Sequence, residues 1–95
     1  MVDTTIKNHS GAPITLLELD YPSASFGTQN LRDGAEFHYR FKILGNGALK
    51  LLYTDAKGGE HTSQGPALTE GSEGLLSITI DPADVRWQTT FKQGR

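Results

Sequence analysis

Residues 36–43 read Glu-Phe-His-Tyr-Arg-Phe-Lys-Ile. The odd positions, Phe37, Tyr39, Phe41 and Ile43, are apolar, and the even ones, Glu36, His38, Arg40 and Lys42, are polar or charged. Side chains alternate faces along a strand, so this octet predicts a β-strand with one buried and one wetted side. The same period recurs along the chain. Val2, Thr4 and Ile6 share one side of a first strand over residues 3–9. Leu49, Leu51 and Tyr53 do so over 49–55, and Leu76, Ile78 and Ile80 over 75–81. Val85, Trp87 and Phe91 alternate with Arg86, Gln88 and Lys92 in a last strand, with Trp87 in the core or capping its open end. In Ile14–Tyr21 the parity changes between Leu16 and Leu17, which predicts a bulge or a strand buried on both faces.

Between these runs lie Gly, Pro, Asn and Asp clusters, the composition of turns. Residues 22–30 read as a small-residue loop with at most a short strand at 25–28. Residues 60–64 read as a polar edge strand and 65–74 as loop. A three-residue loop at 45–47, with left-handed Gly47, predicts a hairpin that pairs Ile43 with Leu49, Phe41 with Leu51 and Tyr39 with Tyr53. Seven to eight short strands in 95 residues predict one all-β domain over 1–95. The expected form is an immunoglobulin-like antiparallel β-sandwich of Greek-key topology, with a small β-barrel as the competing architecture.

Composition narrows the chemistry. The net charge of −2 offers no general attraction to nucleic acid. The chain has no cysteine, hence neither disulfides nor thiolate chemistry. No apolar run reaches the ~20 residues of a membrane span. The N-terminal residues lack the basic and apolar regions of a signal peptide. The chain therefore reads as cytoplasmic as it stands, or as membrane-tethered if it is part of a longer precursor.

His9, His38 and His61 are too scattered for a zinc ligand set, and the acidic residues lack the calcium-loop spacing. No nucleophile elbow or phosphate-binding glycine motif occurs. No catalytic, cofactor-binding or metal-binding residue is assigned, and no cofactor is expected. Two surfaces remain as candidates. On the wet side of the expected hairpin, His38, Arg40, Lys42, Lys50 and Leu52 form a mixed basic and apolar patch. In the loops, Tyr21 and Phe26 are aromatic side chains able to stack on a sugar or small ligand.

The residues Asn8-x-Ser10-Gly11, the run Ile14–Tyr21, Leu31-x-x-Gly34, residues 45–51, Thr54-Asp55 and Gly71-x-x-Gly74-x-Leu76-x-Ile78 together resemble small, functionally uncharacterised bacterial β-sandwich domains. The resemblance spans about residues 5–80 and rests on turn glycines and core alternation. It implies an immunoglobulin- or fibronectin-like sandwich, in that group often placed after a membrane anchor, and carries no functional residues with it. The expected function is thus a non-enzymatic interaction module acting by protein–protein contact or self-association. The alternative is a carbohydrate- or small-ligand-binding module using the loop aromatics.

Overall fold

The computed structural model describes residues 1–22 and 24–91. Ser23 and Lys92, assigned above to a loop and to a polar row, lie outside the described residues. The described residues form eight strands: β1 (Val2–Asn8), β2 (Ile14–Tyr21), β3 (Ala24–Leu31), β4 (Glu36–Phe41), β5 (Gly47–Thr54), β6 (Glu60–Leu68), β7 (Gly74–Ile80) and β8 (Val85–Phe91). They make two four-stranded sheets, ordered β4-β1-β7-β8 and β3-β2-β5-β6. The architecture is a sandwich of open sheets rather than a closed barrel. One pair departs from the antiparallel rule, because β1 and β7 run parallel, Val2 opposite Gly74 through Asn8 opposite Ile80.

The inward rows are those the alternation marks. Val2, Ile6, Phe41, Leu76, Ile78 and Ile80 from the first sheet meet Leu17, Leu19, Leu49 and Leu51 from the second in one buried core. The expected β4–β5 hairpin does not exist. β4 pairs with β1, Phe41 opposite Val2 and Phe37 opposite Ile6, whereas β5 pairs with β2 and β6. The connection at 42–46 crosses from one sheet to the other, and its left-handed residue is Gly45 (φ 98°) rather than Gly47, which opens β5. The two rows belong to different sheets, and the β4 aromatics pack on Tyr21 and Phe26 instead of on the β5 row.

Two further segments differ from expectation. The small-residue stretch after Pro22 is a full strand, β3, because its short side chains lie flat against β2. A methyl group on Gly27 would run into the Leu17 carbonyl. β6 continues to Leu68 with a bulge. Ala48 faces Ala67 and Lys50 faces Gln64, so Leu49 alone opposes Gly65 and Pro66. Proline lacks the ladder donor and is tolerated at such an edge bulge. The parity break in β2 is real but falls earlier than Leu16/Leu17. Ile14 and Leu17 are buried while Thr15 and Leu16 both point outward, beside Asn30 with its φ of 58°.

Aromatic side chains close the two flanks of the sandwich. On one flank Phe26 of β3 stacks on Tyr39 of β4 at 4.1 Å. On the other, the Trp87 ring of β8 covers Gly65 of β6, where an added methyl would sit 2.5–2.8 Å from ring carbons. The Trp87 indole N–H donates to Ser63 Oγ at 2.9 Å.

Among the described residues one buried side-chain polar group is unserved. Thr4 is 2% exposed and its hydroxyl has no hydrogen-bond partner among the described residues. A buried hydroxyl without a partner carries its desolvation cost uncompensated. Thr4→Val is therefore expected to raise stability by about 1 kcal/mol, read as a higher denaturant midpoint at unchanged m-value.

Candidate interaction surface

The predicted surface residues do not assemble into one patch. His38 and Arg40 lie along the outer side of the first sheet, Lys42 in the connection that follows β4, and Lys50 and Leu52 along the outer side of the second. On the first sheet the charges are locally matched. Arg40 Nε lies 2.6 Å from Asp3 Oδ1, and His38 contacts Glu36 at 3.2 Å and the Thr5 hydroxyl at 3.1 Å. These follow from register, since Asp3 sits opposite Arg40 and Thr5 opposite His38.

Tyr21 and Phe26 are not loop residues. Tyr21 ends β2, and Phe26 lies within β3 at 9% exposure. Tyr21 stands 4.3 Å from the Phe41 ring and Phe26 5.3 Å from it. Burial raises the Tyr21 phenol above its usual range, with neighbouring Tyr39 adding to it. These rings fill the sandwich instead of presenting faces to a ligand.

On the second sheet's outer face Leu16, Glu18, Leu52, Glu60 and Thr62 line a shallow groove of about 200 Å³. The Glu18 carboxyl is raised by its hydrogen bond with Asp20 and by that residue's charge. At the groove's end the Tyr53 and His61 rings stack at 4.7 Å, and His61 Nε2 lies 2.7 Å from Asp55 Oδ2. The His61 contact, together with the Gly59 and Lys57 backbone N–H groups, holds the Asp55 carboxyl below the usual range. The arrangement ties the β5–β6 turn together. Among the described residues no group of three or more His, Asp or Glu is placed to hold a metal ion, and no helix is long and apolar enough to cross a membrane.

The sheet edges differ more sharply than the faces. A sandwich of open sheets has four, and an edge strand exposes unpaired backbone donors and acceptors. β3 is interrupted by Asn30 in the left-handed region. β4 carries Glu36, His38 and Arg40 within six residues. β6 is bulged and contains Pro66. Charge, bulges and proline are the usual guards against edge pairing.

β8 has neither bulge nor proline, and a single charge. Its register with β7 runs unshifted from Phe91 opposite Gly74 to Val85 opposite Ile80. Its one charged residue, Arg86, is engaged by Asp81, with Nε 2.5 Å from Oδ2, and the Arg86 contact lowers the Asp81 carboxyl. Among the described residues no backbone hydrogen bond outside the ladders reaches Val85–Phe91. The sequence marks β8 correctly as a strand, but its edge position depends on strand order, which alternation does not encode.

Among the described residues the fold is a small eight-stranded β-sandwich with matched charges on the outer face of the first sheet and a regular edge at β8. The chain is similar to the NMR structure of a protein from Eubacterium rectale, with a TM-score of 0.66 at 16% sequence identity, covering 98% of this chain and 89% of that one. At that identity the likeness establishes the fold. No family model matches the chain, and no curated protein matches it.

Proposed function

We propose that the protein is a non-catalytic interaction module, one of the small bacterial β-sandwich domains, that binds partner chains by strand addition at β8. One observation carries this reading. Of the four sheet edges, β8 alone keeps an unshifted register over its full length with a single charged residue and no proline, whereas β3 breaks at Asn30, β4 carries several charges and β6 is bulged. Strand addition draws its affinity from backbone hydrogen bonds and needs no side-chain motif. That suits a chain whose sequence carries no recognisable signature. The Trp87 contacts with Gly65 and Ser63 fix the strand before any partner arrives, and a pre-ordered edge pays less entropy on binding.

The test uses a phage-displayed library of random peptides, with NMR mapping of the enriched sequences. The expected binders are extended, rich in β-branched and aromatic residues, and shift the amide resonances of Val85–Phe91. Binders that map to the β3, β4 or β6 edges, or to the groove beside Leu16 and Leu52, defeat the reading, as does a library that yields none.

A further inference from the structure

The residue pattern of β8 also says which partner fits it. Resting on the proposed role of this edge, we infer that the occupant is a second copy of the same chain, paired antiparallel about a two-fold axis at Gln88. A two-fold contact between identical strands is self-complementary, so each residue pairs with its mirror position about the centre. Centring on Gln88 sets Val85 against Phe91, Arg86 against Thr90, Trp87 against Thr89 and Gln88 against Gln88, using all seven residues.

Three features of that register are favourable together. Odd positions meet odd positions, so the inward-facing rows of both copies stay on one side and the β4-β1-β7-β8 sheet continues unbroken into its copy. The partly buried Val85 and Phe91 meet twice, once at each end of the ribbon. The two arginines are kept apart, each opposite an uncharged threonine, and the centre is a pair of amides. Shifting the centre by one residue to Trp87 or Thr89 keeps the faces aligned but leaves two residues of each strand unpaired. A shift by half that amount sets the Arg86 row beside the apolar one.

An edge contact of this size lies at the weak end of protein interfaces. Association is therefore sought by light scattering up to about 1 mM protein, the range of a weak complex. The parent chain is expected to pass from monomer to dimer. Gln88→Lys and Gln88→Glu each place two like charges opposite one another, and each is expected to weaken association at least about tenfold, since facing like charges oppose pairing. An equimolar mixture of the two variants is expected to associate at least as well as the parent. That recovery also rules out misfolding as the cause of the loss.

A parent that stays monomeric overturns the inference, as do variants that dimerise normally or a mixture that stays monomeric. Displayed peptides that still map to β8 in those cases leave the strand-addition reading standing, and their absence removes both.

Discussion

Phe41→Ala is expected to lower the unfolding free energy by about 3–5 kcal/mol, the range for a buried phenylalanine truncated to alanine. Phe41 is 3% exposed and closes β4 onto the opposite sheet, its ring 4.3 Å from Tyr21 and 5.3 Å from Phe26. Phe26 in turn stacks on Tyr39 and stands 6.1 Å from Phe37. Removing the Phe41 ring therefore opens a cavity beside the Tyr21 and Phe26 rings, on the flank where β3 and β4 lie opposite each other. Larger rings fixed on strands cannot collapse into it without displacing the backbone. The neighbouring Arg40→Ala is the control. Its ion pair with Asp3 is more than half exposed on the arginine side and half on the aspartate side, so the loss is expected to stay below about 1 kcal/mol. Urea titrations of both variants measure the contrast, and equal losses would mean that the faces of β4 are assigned the wrong way round.

Asn8→Ala is expected to cost about 3 kcal/mol, from four side-chain hydrogen bonds worth about 0.5–1.5 kcal/mol each. Asn8 is fully buried at the end of β1. Its Nδ2 donates to the carbonyls of Ala12 at 2.9 Å and Leu31 at 3.0 Å. Its Oδ1 accepts the Ser10 backbone N–H at 3.0 Å and the Ser10 hydroxyl at 2.7 Å. One amide thus holds the turn into β2 and the end of β3 against the end of β1. Alanine leaves a buried carbonyl of Leu31 with no donor in place of that amide. For a domain of this size the expected fall in Tm is about 12–24 °C, read from a thermal melt followed by Trp87 fluorescence. A fall of only a few degrees would mean that water takes over the amide's role.

Much of the fold was legible in the sequence, and the misses share a physical origin. Alternation at Phe37–Ile43 and Leu49–Tyr53 reports which side of a strand is apolar, and it does so here except at Tyr39, which is 43% exposed, and beyond Phe41, where β4 ends. It does not report whether two apolar rows are neighbours within a sheet or opposite across the core, because inward-facing positions look the same in either case. Gly45-Asn46-Gly47 is suited to a tight turn, and that local fitness made a hairpin out of a crossing between sheets. β3 was under-read because Ala24, Ser25, Gly27 and Thr28 lack the bulk that announces a strand, although Gly27 is small because β2 passes so close.

Phe26 therefore looked like an exposed loop anchor when it is a core ring, and Tyr21 followed it. The mixed patch spanning Lys42 and Lys50 fell apart with the hairpin that defined it. The candidate edge was half visible. Val85–Phe91 was bounded correctly, and its freedom from proline and its low charge are plain in the sequence. That it ends a sheet follows only from β7 taking its place between β1 and β8.

The parallel ladder of β1 with β7 bears on how the molecule comes into being. β1 precedes β7 in the chain and has Gly74 as the partner of Val2, so the side of β1 that pairs with β7 waits uncovered until the seventh strand has left the ribosome. Ladders between such distant segments are slow to close because the loop entropy is spent before any contact repays it. The nascent chain thus depends on the β1–β4 ladder, whose partner is made earlier, to hold the first strand in place while the seventh is still being synthesised.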